Sequence, residues 1–244
     1  MFSRFNLQID YLSMRFPHNP HFNSHFDLVD DLKWYPYVGR TFGTKSRRVM
    51  VYAHNIPIKE EEFVEKTKEF QNKSTWADCI DEYTYEQGWW TEAFRYFIKG
   101  AVGLSENYTQ GSNPEVIAKV DNFISSISYT NFIQGLVMSD SQIALADADL
   151  VTKSKVINQQ ILDILNITHC ICWGAPVFDY VRSIPGWAVE GLMSYEQRGF
   201  GYCRVLRTAT APMHVLKIHH PSMPNFKPYS SETQQIISDF LLLK

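Results

Sequence analysis

The chain is short of several things, and each shortage removes a class of protein. Only 4 of its 244 residues are cysteine, and Cys79, Cys170, Cys172 and Cys203 contain no Cys-x-x-Cys pair. A disulfide scaffold or zinc ribbon is therefore not expected, and the four are read as buried thiols in a reducing compartment. No window approaches the roughly 18 consecutive apolar residues of a membrane span. The opening MFSRFNLQIDYLS lacks a charged start followed by an apolar stretch and a small-residue cleavage site. The expectation is a soluble, cytoplasmic protein without a membrane partner. No internal repeat or linker interrupts the chain, and the formal net charge is only -3.

That small net charge hides an asymmetry. Between Lys59 and Glu92 lie ten acidic residues against four lysines, whereas between Arg182 and Lys227 six basic residues face two acidic ones. The distribution allows an anionic partner at one face and opposes it at another, although charge runs are most often solvated surface. The chain is 45% apolar and 14% aromatic, enough for a packed interior or an aromatic-lined pocket. A single domain, 1–244, is expected, with 1–35 an N-terminal extension packed on it. The histidines of that extension, His18, His21 and His25, have no cysteine partners at finger-like spacing, and no metal site is expected there.

The hydrophobic pattern alternates between strand and helix. Val49 to Ala53 is a short β-branched run that stops at His54-Asn55, preceded by the basic cluster Lys45, Arg47 and Arg48. Residues 59–73 suit an amphipathic helix and 76–100 a helical tract, while Asn113-Pro114 opens another helix that gives way to a short element ending near Asn131. Val156, Ile157, Ile161, Ile164 and Leu165 recur at helical intervals. THCICWG is apolar on both faces and closed by glycine, as a parallel strand covered on both sides would be. CRVLRTAT and HVLKIHH are strand-like, and a last helix opens on Ser230 or Ser231. The fold class is thus α/β: a three-layer α/β/α sandwich around a mainly parallel sheet of about four strands, drawn from 49–53, 169–173, 203–208 and 214–219.

In such a sheet the ligand site lies beyond the carboxyl ends of the strands. Polar groups stand at those ends: His54 and Asn55, then Asn131 and Phe132, then Gly174, then His220 in IHHPS. Each also has a plainer reading. Asn55 can be a turn former, Asn131 a helix cap and His220 an exposed turn residue.

The ordered stretches WYPYVGRTF, VMVYAHNIP, YTNFIQ, CICWGAPVFDYV and IHHPS resemble the uracil-DNA glycosylase-like superfamily over about residues 34–243. The resemblance implies a metal-free, cofactor-free hydrolase that removes uracil or a related damaged base from DNA. In it His220 is the donor to the departing base and Asn55 positions the attacking water. Asn131 reads the base edge, with His54 beside it and Tyr52 or Phe132 as stacking candidates. Lys45, Arg47, Arg48 and Ser222 would meet the nucleic-acid backbone. The pattern also departs from the family: Ala53 stands where a glycine opens the first loop, Ile56 is inserted before Pro57, and Met223 and Phe226 take the place of the usual minor-groove residues. A binding protein without turnover, or an interaction scaffold of the same fold, stays open, as does the oligomeric state.

Overall fold

The computed structural model describes residues 16–244 other than 45, 70, 74, 86–88, 139–145, 196–198, 209, 224 and 229. A 3-10 turn (Pro20–Phe22) and helix α1 (Asn23–Phe26) lead to strand β1 (Tyr37–Val38). Then follow β2 (Val49–Ala53), β3 (Ile56–Ile58), a second 3-10 turn (Glu60–Glu62), and helices α2 (Phe63–Glu69), α3 (Thr75–Tyr85), α4 (Trp89–Val102) and α5 (Pro114–Ser126). Next come β4 (Ile127–Asn131), β5 (Leu136–Met138), α6 (Ala148–Ile164), β6 (His169–Trp173) and α7 (Ala175–Arg182). β7 (Ala188–Tyr195), β8 (Phe200–Leu206), β9 (Met213–Ile218) and α8 (Ser231–Leu242) complete the order.

The main sheet has seven strands in the order β1-β4-β2-β6-β9-β8-β7. Its centre, β4-β2-β6-β9, is parallel, while β1 at one edge and β8 and β7 at the other run antiparallel. The sheet is therefore larger than the four strands expected, and mixed. The segment around 203–208 is β8, which is antiparallel to β9 because the short link 207–212 leaves no room for a crossover helix. Its place among the parallel strands is taken by β4, whose polar Ser128, Thr130 and Asn131 disguise a strand buried along its whole length.

Alternating side chains of the parallel strands feed two separate cores. Val49, Val51, Tyr129, Ile171, Trp173 and Leu216 join one face to α3, α4, α5 and α8 through Trp76, Phe94, Ile124 and Ile237. Met50, Tyr52, Cys170, Cys172 and Val215 join the other to α1, α6 and α7 through Phe26, Ile161 and Val177. Both faces of the centre are thus covered, which explains why VMVYA of β2 and CICW of β6 read as apolar throughout. The described part of the N-terminal stretch belongs to these cores, Phe16 and Trp34 to the first and Phe26 and Leu32 to the second. Cys170, Cys172 and Cys203 are buried as expected, the first two on one face with Sγ to Sγ 3.7 Å, but Cys79 is only half-buried. The charged α2 buries little, leaving Val64 66% exposed. Among the described residues, no helix is long and apolar enough to cross a membrane.

Caps set the helix entries. Asn113 accepts from the N–H of Glu115, Asp147 from that of Leu150, and Ser230 from that of Thr233. At the outer edge, the register of β7 against β8 shifts between Glu190 and Met193.

The segment after β4 is held by buried polar side chains of α6. Asn158 Nδ2 donates to the carbonyls of Phe132, at 2.6 Å, and Ser154, at 2.7 Å, while Ser154 Oγ accepts from the Gln134 N–H at 3.0 Å. Replacing Asn158 by Leu strands the Phe132 carbonyl in the interior, which costs about 1–3 kcal/mol. Chemical denaturation of Asn158→Leu is expected to show that loss, and an unchanged midpoint would contradict this role.

Candidate functional site

The chain leaves β2 for β4 on one side, then returns to place β6 and β9 on the other. The order of the parallel strands therefore reverses between β2 and β6, and an open α/β sheet forms its crevice outside the carboxyl ends at such a point. Here β2 ends in His54-Asn55, β6 in Gly174, and β9 in His219-His220. Because β6 lies between β2 and β9, Gly174 separates the two histidine-bearing ends. Its φ of 87° is a conformation that side chains resist, and its N–H donates to the Ile218 carbonyl at 2.9 Å. The middle strand consequently turns into α7 without a side chain of its own between the flanking residues.

The paired histidines after β9 part company. His219 lies over Gly199 in the β7–β8 hairpin, so close that a Cβ there would fall 1.7 Å from its Nε2, and it packs against Phe200 at 6.3 Å between ring centroids. His220 meets Trp173 edge to face, centroids 5.7 Å apart at 87°. The Ser222 N–H donates to His220 Nδ1 at 3.3 Å, and Ser222 Oγ lies 2.7 Å from the same nitrogen. Accepting from a backbone N–H requires that Nδ1 be bare. The neutral ring therefore carries its proton on Nε2. Burial, with the nearby His54 adding to it, holds His220 down to about 4 from the ordinary 6.5. His54 is lowered by burial too.

On the other side of Gly174, His54 stacks on Tyr180 of α7, centroids 5.9 Å apart at 29°. Tyr180 leans on Phe132 at 5.6 Å, and Phe132 meets Tyr52 at 5.4 Å. Tyr52 and Phe132 are both 0% exposed, so the two stacking candidates are core as they stand, and half-buried Tyr180 is the outer member of the stack. Sequence reasoning missed Tyr180. The available signal was its place in APVFDYV, three residues past inward-facing Val177 on a helix that starts at the switch point.

Asn131, in register with Ala53, is buried at 3% exposure at the end of β4, and its carbonyl accepts from Gln134 Nε2 at 3.0 Å. Half-buried Asn55 follows His54 in a two-residue link, because Ile56, Pro57 and Ile58 form β3 and pair with Leu136, Val137 and Met138 of β5. The Ile133 N–H, donating to the His54 carbonyl at 3.0 Å, fastens that link to the end of β4. The inserted Ile56 is therefore part of a small parallel ladder that fixes where Asn55 leaves the sheet.

The basic cluster lies elsewhere. Arg47 and Arg48 precede β2 and so stand at the amino ends of the parallel strands, about five residues at roughly 3.3 Å each from His54. Arg47 donates to the Leu241 carbonyl, and Lys45 lies outside the described residues. Three of the six basic residues of the C-terminal stretch have partners within the fold. Arg182 pairs with Asp179 at 2.8 Å and Arg204 with Glu190 at 3.8 Å, while Arg207 Nη2 donates to the Ile167 carbonyl at 2.8 Å. Of the expected backbone contacts among the described residues, Ser222 alone accompanies His220. Beyond it opens a shallow depression of about 610 Å³, lined in part by Tyr96, Ser222, Met223 and Lys227. Met223 is 44% exposed, whereas Phe226, at 5%, is packed inward and presents no wedge.

No model of a known protein family matches this chain, and no curated protein matches it.

The folded chain favours neutral His220, so its share of stability is complete above pH 6.5 and is lost as pH falls from there through about 4. Buried His169, also held near 4, loses stability over the same range, so global acid unfolding does not separate the two. Histidine-resolved NMR does. The His220 ring is expected to stay neutral at pH 6, with a proton on Nε2, a bare Nδ1 and a midpoint near 4. A midpoint near 6.5 would overturn the assignment.

Proposed function

We propose that the protein cleaves an N-glycosidic bond, releasing uracil or a related damaged base from DNA in the manner of the uracil-DNA glycosylase-like superfamily. One observation carries this reading. A neutral, preoriented imidazole donor, His220, and a polar link bearing Asn55 leave the two strands that flank a glycine at the switch point of a doubly covered parallel centre.

The chemistry follows from what each group can do. As the bond between base nitrogen and C1′ breaks, its electrons pass to the base, and a carbonyl oxygen gathers negative charge. The Nε2–H of His220 donates to that oxygen and stabilises the departing base without giving up its proton. The sugar carbon, short of electrons, takes the oxygen of a water held by the Asn55 amide. The water's proton ends on the base or in solvent, which balances the hydrolysis. Trp173 supports the His220 ring from below, and Met223 is an exposed apolar group beside the donor where a duplex would have to open.

A second reading, a protein of the same fold without turnover, is favoured by two observations. Tyr52 and Phe132 are sealed in the core, and Arg47 and Arg48 stand at the far end of the sheet.

Incubation with single- and double-stranded oligonucleotides carrying uracil or hypoxanthine should leave alkali-labile abasic sites. His220→Ala is expected to slow release by about a hundredfold or more, since it removes a donor that acts mainly in the transition state. Asn55→Ala should slow release with binding nearly intact. Arg47→Ala and Arg48→Ala should leave the rate unchanged. Salt-sensitive binding with no release from any substrate would replace the hydrolase with a binding protein of the same fold.

A further inference from the structure

Helix α2 stands apart from the packed interior, and none of its described side chains belongs to either core. It has 7 residues, well below the roughly 12–15 at which an isolated helix begins to hold in water. A helix so short is normally held by a covered apolar face, yet Phe63 and Val64 are both exposed. With the 3-10 turn before it, the helical repeat sets Glu60, Phe63, Val64, Thr67 and Lys68 along one face, and all of them are exposed. That face reads acid, apolar pair, hydroxyl, base. The Thr67 hydroxyl is already spent on the Phe63 carbonyl, at 2.6 Å. Glu61 pairs with Lys59 at 3.9 Å, whereas Glu60 and Lys68 have no ion pair among the described residues. Exposed Met138, opposite Ile58 in the β3–β5 ladder, adds apolar surface at the root of the helix.

We infer that this face of α2 joins two copies of the chain, antiparallel about a two-fold axis that passes beside Val64. Glu60 lies one turn before Val64 and Lys68 one turn after it. The two-fold rotation therefore brings Glu60 of each copy against Lys68 of the other, so that the ion pair forms twice, with the apolar residues meeting between. The face is its own complement, which is what an isologous contact requires. A partner of one sign fits less well, because a basic segment meets like charge at Lys68 and an acidic one meets it at Glu60. The contact also closes at two subunits and leaves nothing to propagate. Two helices of this length cover much less than the roughly 800 Å² per partner of a stable complex, so the pair exchanges readily, with a dissociation constant on the order of 0.1 mM. It is independent of the crevice and of the hydrolase reading.

The test follows the full chain by sedimentation equilibrium from about 0.01 to 1 mM, where its average mass is expected to rise from monomer towards dimer and no further. Val64→Asp should abolish the rise. Glu60→Lys and Lys68→Glu, each alone, should weaken association by about tenfold, since each turns two attractive contacts into repulsive ones. Mixing those two variants should restore it, because one chain then carries base at both ends of the face and the other carries acid. The double variant Glu60→Lys/Lys68→Glu should associate as the unsubstituted chain does, the ends having merely been exchanged. A change that only loosened the helix would not be reversed by mixing. A chain that stays monomeric across the range overturns the inference and leaves the face to a different protein. Growth beyond the dimer, a dimer indifferent to these substitutions, or variants that stay apart when mixed overturn it as well.

Discussion

Covering a parallel sheet on both faces leaves the ends of its strands as the places where its backbone meets other chemistry. The four central strands satisfy their hydrogen bonds laterally, and their side chains are consumed by two cores. Whatever polar work this architecture does must therefore gather at one rim. The order β4-β2-β6-β9 opens the carboxyl rim between β2 and β6, because the helical connections depart to opposite sides there. The positions of His54, Asn55, Gly174 and His220 all follow from that constraint.

The same rim sets the electrostatics. Burial raises the cost of charge, so imidazoles that would titrate near neutrality in water are held neutral. A neutral histidine is a directional donor and acceptor instead of a cation. The backbone N–H of Ser222 fixes which nitrogen of His220 carries the proton. The rim accordingly offers oriented hydrogen bonds and aromatic surfaces more than net charge. Buried Arg207, whose guanidinium is spent on the Ile167 and Ala211 carbonyls, agrees with that character.

Much of this was legible in the residues, unevenly and for physical reasons. VMVYA and HCICW announced themselves because double burial demands continuous apolar side chains, and the helix caps were visible because Asn113 and Ser230 are chemically suited to them. ISYTN did not read as a central strand because its polar side chains are satisfied by distant partners, such as Ser128 Oγ donating to the Tyr37 carbonyl at 2.7 Å. The direction of β8 was implicit in the short link between 203–208 and 214–219, which is too short for the crossover a parallel pair requires. His220 and Asn55 stood out by their strand-end positions. Tyr180 and Asn158 did not, since a helix residue declares its neighbour only once the helix is docked. Arg47 and Arg48 come just before β2 in the chain, so their place at the amino ends of the parallel strands, away from the rim that holds His54, follows from sequence order once β2 is read as a parallel strand.

The register shift in β7 concerns how the sheet stops. A long outer strand with a regular row of free N–H and C=O groups is a template on which another strand can grow. The irregularity between Glu190 and Met193 puts that row out of step, and Glu190 sets a charge beside it. An incoming strand that matched the first half of β7 would miss the second. Leu192 and Met193 can thus remain exposed without making the edge a seed for edge-to-edge polymerisation.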